Sequence, residues 1–483
     1  MNRGSGSLMS SMFVFPLPSA SWGTLSAWVL ICGLLFGSPV ASGYDISFWA
    51  WQRPRPLSKA ECEELCEQGI RTVYWQIGEL ENEGETWRWK ARFAPPEGSC
   101  PLRFVPVVRL ESRERSPFSA PSLESLIGML SNAVEGVDEL QLDYDAPDRL
   151  VDEYAAALRK MRSHVSKLTI TALPGWSRPS MLRALQDSVD ELFPMLYDYE
   201  PDPIVEGARP IPLLAEEKVK GLLANWNQCK IAWRVGLPSF ARLTLFDRSG
   251  KSHGHIREWT WDDLCFNQSF IALRPTVDGL TILRARKSGR IAKTRVLPER
   301  LLAVRWPDRA ALNRVVAQAR ETSARGTVFF RLPDSTAPSG WSVRQLTHLE
   351  ARPRLVLRLA DTLSELELVN DSDADLEPRL DSGSNGDEWG RGYAVEIDAG
   401  AAIVRDAVEG DFLGVDAYVE HDRIRERVSI PLATHFLFAF SHVRARESLR
   451  TGPIQLAPGS TFSQIRYRIL GLGRESEWND VDK

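Results

Sequence analysis

Eight residues in the first third of the chain, Leu140-Gln141-Leu142-Asp143-Tyr144-Asp145-Ala146-Pro147, alternate apolar and polar side chains and then meet a proline. In an extended strand successive side chains point to opposite faces, so Gln141, Asp143 and Asp145 share one face and Leu140, Leu142 and Tyr144 the other. A strand that is greasy outside and acidic inside near its end fits a parallel β/α barrel, where strand C-termini open onto the functional mouth.

The flanking sequence repeats this theme. Strand-like runs at 44–52, 71–80, 102–111, 138–145, 167–173, 191–198, 230–237 and 327–333 alternate with helical patterns, as βα units do. Ser58 with Glu61 three residues on has the form of a helix-capping pair. Tyr154, Leu158 and Met161 are spaced to cover one face of a helix over 150–164. The rhythm breaks between residues 240 and 300, which read as an insertion at the strand-end face in the form of a β-hairpin lid. Beyond residue 351 short alternating strands separated by turns such as Ser382-Gly383-Ser384-Asn385-Gly386 indicate a small β-sandwich. The expected architecture is an α/β (β/α)8 TIM-like barrel over 44–350 followed by an all-β sandwich over 351–483. A length of 483 residues accommodates both.

Residues 1–43 have the form of a secretory signal: an early Arg3, an apolar run over 25–36, and small residues through Gly43. Export to a periplasmic or extracellular location is expected. Retention of the segment as an N-terminal membrane anchor is the alternative, and without it no membrane association is expected. The net charge of -5 offers phosphate backbones no general attraction, so no nucleic-acid partner is expected. Past the signal five cysteines remain, an odd number in a compartment that permits disulfides. Cys62 and Cys66 lie one helical turn apart and either can meet Cys100. A structural bridge and buried free thiols both remain open. Metal has less support, because no second Cys pair has zinc spacing and His253 with His255 lacks an evident third ligand. No metal and no cofactor are therefore expected.

Paired carboxylates at a barrel mouth suggest glycoside hydrolysis, in which one acid protonates the leaving oxygen and a second group stabilises the transition state. Asp143 and Asp145, about 6.6 Å apart by strand rise, are the candidate catalytic pair. Repulsion between them predicts one raised pKa, assigned to Asp145 as the acid while Asp143 stays ionised. Glu79, Glu111 and Tyr197-Asp198 fall at other strand ends. Arg331 lies near its strand end, and Trp49 and Trp176 are candidate sugar platforms among 16 Trp. Glu79, Glu111, Trp176, Trp49 and Arg331 make up the expected substrate-binding set.

The motifs Phe48-Trp49-Ala50-Trp51-Gln52-Arg53, the stretch from Leu140 to Pro147, Thr169-Ile170-Thr171-Ala172-Leu173-Pro174-Gly175-Trp176 and Phe329-Phe330-Arg331-Leu332-Pro333 resemble a bacterial family catalogued as domain of unknown function 3142. That family is grouped with barrel glycoside hydrolases, which implies a fold. A more distant resemblance is to the chitinase-type barrels of glycoside hydrolase family 18, whose fourth strand ends in Gly-x-Asp-x-Asp-x-Glu. Here Gln141 stands at the first Asp, Asp143 at the second and Asp145 at the Glu. Their sixth strand carries Met-x-Tyr-Asp, matched by Met195-Leu196-Tyr197-Asp198. The resemblance implies Asp145 as acid, Asp143 orienting a substrate acetamido group, and Tyr197 with Asp198 holding the intermediate. Asp145 is one methylene shorter than Glu, in chemistry sensitive to displacements of ~1 Å. The expected function is an exported glycoside hydrolase-like protein with a glycan as substrate. The alternative is a non-catalytic carbohydrate-binding or cell-envelope protein on a degenerate barrel.

Overall fold

The computed structural model describes residues 43–94, 96, 100–133, 135–198, 211–273, 276–334, 338–380, 392–422, 424–472 and 477–481. Residues 1–42 of the expected export segment 1–43, and the turn at 382–386, lie outside the described residues. Among those described, no helix is long and apolar enough to cross a membrane.

The parallel strands are β1 (Asp45–Ala50), β2 (Thr72–Glu83), which turns back into β3 (Thr86–Arg92), β4 (Arg103–Glu111), β5 (Glu139–Asp143), β6 (Lys167–Ala172), β7 (Glu191–Pro194), β8 (Ala232–Trp233) and β9 (Val235–Pro238). An insertion follows, with β10 (Arg242–Phe246), β11 (Ser252–Ile256), β12 (Phe270–Ala272), β13 (Leu280–Ala285), β14 (Gly289–Ile291), β15 (Thr294–Val296) and β16 (Leu301–Arg305), before β17 (Gly326–Phe330). Sheet order is β8-β7-β6-β5-β4-β2-β1-β17-β9. Only Arg234 separates β8 from β9, so they are one interrupted strand and the ring closes on eight. A bridge between Met195 and Gly236 completes the seam. The chain is a TIM-like barrel followed by an all-β domain.

Register explains the interior. Trp49 pairs with Tyr74, Tyr74 with Val105, Val107 with Gln141, and Gln141 with Thr169. Lateral neighbours in a parallel sheet face the same way, so these side chains fill the barrel in layers. At its lower end Arg103 meets Glu139 at 2.6 Å, Lys167 meets Glu139 at 3.3 Å and Glu191 at 2.8 Å, and Arg234 meets Glu191 at 2.8 Å and also Asp45. Burial alone would raise the pKa of Glu191, but Arg234 and Lys167 outweigh it and the carboxyl sits below its ordinary value. Above lies an apolar layer of Trp49, Tyr74, Val105, Val107, Phe193 and Val328. Trp49 enters it because Gly236 faces inward without a side chain: a Cβ there would stand 2.9 Å from the Trp49 ring and 3.0 Å from the Pro194 carbonyl.

Outward-facing residues of the barrel strands share one apolar core with the helices. The helix Lys59–Glu67 begins with the expected Ser58–Glu61 capping box. A Cys62–Cys100 disulfide, with Cα atoms 5.7 Å apart, ties it to the entry of β4 and leaves Cys66, Cys229 and Cys265 as thiols. Such a 38-residue closure stabilises by roughly 4 kcal/mol in the chain-entropy picture. The insertion is larger than the expected hairpin lid. It is a five-stranded antiparallel sheet, β11-β10-β16-β13-β12, with β14-β15 as a separate hairpin.

After the closing helix Val343–Thr347 come β18 (Leu355–Leu359), β19 (Leu366–Asn370), β20 (Tyr393–Asp398), β21 (Val404–Ala407), β22 (Gly414–His421), β23 (Ile424–Arg427), β24 (His435–Phe440), β25 (Ser448–Arg450), β26 (Ile454–Leu456), β27 (Arg466–Leu470) and β28 (Asn479–Asp480). They form three-, six- and two-stranded sheets around their own core, which includes Leu368, Val395, Phe436 and Phe438. Asp375, in the loop after β19, is buried and accepts hydrogen bonds from Ser342 and from the Ala445 amide, joining barrel and sandwich.

Two substitutions test this interior. Gly236→Ala is expected to cost roughly 1–3 kcal/mol by overpacking, read as a lower urea midpoint; an unchanged midpoint would mean that Trp49 and the strand separate freely. Arg234→Met leaves Asp45 without its cation and buried Glu191 with Lys167 alone, and should cost about 3–5 kcal/mol, measured the same way.

Candidate active site

The acidic stretch lies where its alternation predicts. Gln141 accepts a hydrogen bond from Trp49 Nε1 at 2.6 Å, which fixes the inward face of β5 one layer below the mouth. Asp143, 7% exposed, accepts from Thr171 Oγ1 at 2.7 Å. On the opposite face Leu140 and Leu142 pack into the helix layer, and Tyr144 sets its ring edge-on to Phe118 and Tyr154. The strand then bends, with the Ala146 amide on the Tyr144 carbonyl, and Asp145 emerges at the rim. Part of the residue meets solvent while the mouth banks the rest of it, and it makes no hydrogen bond among the described residues.

The two carboxyls titrate as a pair, and both hold their protons more tightly than usual. Burial, and then the charge of Asp145, push Asp143 up to about 6 against the pull of Thr171 and Arg109. Burial also raises Asp145, which Arg109 opposes. The sequence assigned the raised pKa to Asp145 alone. The structure raises Asp143 as well, because that carboxyl is the one sealed beneath the mouth.

Arg109 stands in register between Glu79 on β2 and Asp143 on β5. Glu79 faces inward through a bulge. The β2–β4 register shifts between Gln76 and Gly78, which re-aims the rest of the strand. Gly78 is needed there, since a Cβ would stand 2.5 Å from the Trp89 ring of β3. The Glu79 carboxylate, 7% exposed, accepts from Gln52 Nε2 at 2.9 Å and from Gln76 Nε2 at 3.3 Å.

Across the mouth from these acids is an aromatic wall. Tyr197 stacks on Phe330 with centroids 5.9 Å apart, Phe240 meets both rings, and Trp51 packs edge-on to Phe330 at 5.5 Å. Burial, reinforced by Asp143 and Asp145, holds the Tyr197 phenol well above its ordinary pKa, so it stays a neutral hydrogen-bond donor. One wall acidic and one aromatic is an arrangement able to hold a sugar ring, with its apolar face on the rings and its hydroxyls on the acids.

The other predicted residues distribute unevenly. Asp198 pairs with Arg242 of β10 and, at 3.0 Å, with buried Arg305 of β16, so its carboxylate roots the insertion sheet to the barrel. Arg331 pairs with Asp334 at 3.1 Å and reaches the Trp51 carbonyl at 3.4 Å, bracing the aromatic wall from behind. Glu111 lies further out, bonded to Lys90. Trp176, 0% exposed, is packed near Tyr154 in the helix layer, and Trp49 lies in the barrel interior. Neither presents a face to a ligand, because each follows the outward or lower layer of its strand rather than the mouth. Sequence reasoning did not single out Trp51, Thr171, Gln76, Phe240 or Phe330 as site residues. Trp51 and Thr171 were findable by extending inward alternation two residues past Trp49 and Thr169. Among the described residues no group of three or more His, Cys, Asp or Glu side chains could hold a metal ion. Beside Asp145 a cleft of about 700 Å3 opens between the β2–β3 hairpin and the segment after β4.

The raised pKa of Asp143 has a thermodynamic sign. A folded state that binds the proton more tightly than the unfolded chain gains stability that is complete below the ordinary carboxylate value and lost as pH rises through about 6. Asp143→Asn keeps an acceptor for Thr171 and removes the titration. Its Tm relative to the natural protein should therefore be higher by a few degrees at about pH 7.5 than at about pH 4. A Tm difference independent of pH would show that Asp143 is not the titrating group.

No family model matches the chain, that of domain of unknown function 3142 included, and no curated protein matches it. Similar solved structures include a chitinase from Chromobacterium violaceum, at 12% identity over 61% of this chain and 96% of that one with a TM-score of 0.44. Others are the Ostrinia furnacalis Group IV chitinase, at 12% identity over 61% and 94% with a TM-score of 0.40, and the Bacillus megaterium spore cortex-lytic enzyme SleL, at 12% over 61% and 72% with a TM-score of 0.40. The barrel assignment itself rests on the strand order.

Proposed function

We propose that this protein is exported, binds a glycan at the barrel mouth and hydrolyses a glycosidic bond. The observation that carries the reading is a coupled Asp143–Asp145 pair of raised proton affinity opposite the aromatic wall of Trp51, Tyr197, Phe240 and Phe330. Export is supported by the Cys62–Cys100 disulfide, since such bonds persist in oxidising compartments, together with the apolar run at 25–36.

In this reading a sugar ring lies against Phe330 and Tyr197 with its glycosidic oxygen toward Asp145. Asp145 gives its proton to that oxygen as the bond to the anomeric carbon breaks, and its raised proton affinity suits that role. Asp143, held by Thr171, lies below and orients a substrate substituent, an acetamido group if the likeness to chitinase-type barrels extends to substrate. The anomeric carbon left positive by this cleavage takes the oxygen of a water molecule, whose proton returns to Asp145, while Tyr197 donates its phenolic hydrogen to an acceptor oxygen of the bound unit. Asp198, already spent on Arg242 and Arg305, acts by holding the insertion in place.

One observation favours a second reading, glycan binding without cleavage: Asp145 is one methylene short of the Glu at the corresponding chitinase-type position, which moves the acid by more than ~1 Å. The test is hydrolysis of a panel of N-acetylated and plain β-linked oligosaccharides by the mature protein beside Asp145→Asn. The expected result is cleavage by the natural protein and a loss of roughly 100-fold or more in the variant. Equal cleavage by both would remove Asp145 as the acid. Calorimetric binding without turnover in either would establish the second reading.

A further inference from the structure

The cleft beside Asp145 is walled by the β2–β3 hairpin on one side and residues 109–114 on the other. Its ions are unequally matched. Glu81 and Glu83 both pair with Arg88. Glu111 is held by Lys90 at 2.5 Å and by Nε of Arg109 at 3.3 Å, and the Lys90 hydrogen bond outweighs burial in keeping its carboxyl below the ordinary range. Among the described residues Arg109 has no other ion pair, and Arg113 acts on Glu111 from a distance without pairing. The acids of the lining left without an ion pair are Glu114, exposed at the outer lip, and Asp145, whose carboxyl holds its proton more tightly than usual. The single ring in the lining, Tyr144, packs outward on Phe118 and Tyr154. No aromatic platform therefore serves this side, and the open donors are two guanidinium groups.

From this arrangement we infer that the cleft is a subsite for a carboxylate-bearing sugar unit, held by the Nη groups of Arg109 and by Arg113. Guanidinium groups suit a carboxylate because their parallel N–H donors match its two oxygens, and the resulting charge-assisted bonds are stronger than neutral ones. The inner end of the cleft is Asp145, so under the proposed function the bound unit belongs to the departing part of the glycan. That placement rests on the proposed hydrolysis; the binding itself does not.

Calorimetry on the full chain carrying Asp145→Asn tests it. The probes are a neutral N-acetylated tetrasaccharide and two tetrasaccharides of the same length, one with a uronic carboxylate and one with a lactyl-ether carboxylate. At least one carboxylate ligand should bind roughly 10-fold or more tighter than the neutral one, with the preference shrinking as salt rises. The arm that binds tighter identifies the kind of carboxylate. Adding Arg113→Gln, on an exposed side chain, should cut the preference several-fold, to what Arg109 supplies alone, and Glu114→Gln should widen it by removing a repulsive charge. Equal binding of all three ligands, or a preference undiminished by Arg113→Gln, overturns the inference. If the Arg113-dependent preference is found while the natural protein cleaves nothing, the hydrolytic reading fails and the subsite stands.

Discussion

Closure of the barrel depends on one strand that changes partners part-way. Residues Ala232–Trp233 pair with β7, and after Arg234 residues Val235–Pro238 pair with β17. Arg234 sits at the change-over and turns its guanidinium inward onto Glu191 and Asp45. A buried cation there would be costly alone, but from it the ion pairs run through Lys167 and Glu139 to Arg103, so each interior charge meets an opposite one. Above this layer Gly236 yields its space to Trp49, and the aromatic layer seals the ions from the mouth. The barrel grades from ionic, through apolar, to open and polar.

That gradient decides which residues can act on a ligand. Asp143 lies at the boundary, sealed beneath the mouth and anchored by Thr171, so burial raises its proton affinity, and Asp145, two residues on and raised in the same direction, emerges at the rim. The bulge at Gln76–Gly78 brings Glu79 to the same level on the neighbouring side. Phe330 and Tyr197 face them from the other half of the ring. The insertion sheet contributes to the same wall through Phe240, and its position is set by Asp198 gripping Arg242 and Arg305, two residues paired across β10 and β16. A carboxylate that by position reads as chemical thus serves as the root of a neighbouring sheet.

Much of this was legible in the chain. The alternation through Asp143 and Asp145, the capping box at Ser58, and the eight strand-like runs each follow from local periodicity, and the structure bears them out with strand ends displaced by a few residues. The hairpin partner β3 was missed because Thr86–Arg92 alternates charged and aromatic residues in a way that also suits a loop. Trp176 and Trp49 were read as sugar platforms from residue type and from nearness to strand ends. Their burial depends on which layer each ring enters, and type does not reveal that.

The sequence by itself determined the strand faces, the helix starts and the order of βα units, because period-2 and period-3.6 patterns and capping chemistry act over a few residues. Only the tertiary structure decided which inward residues share a level. Level is set by register between strands far apart in the chain, by one bulge in β2, and by where a glycine lets a tryptophan in. Register brought Glu79, Arg109 and Asp143 side by side, sent Asp198 to the arginines of the insertion, and left Arg113 open over the cleft. These are long-range pairings, and no local pattern encodes them.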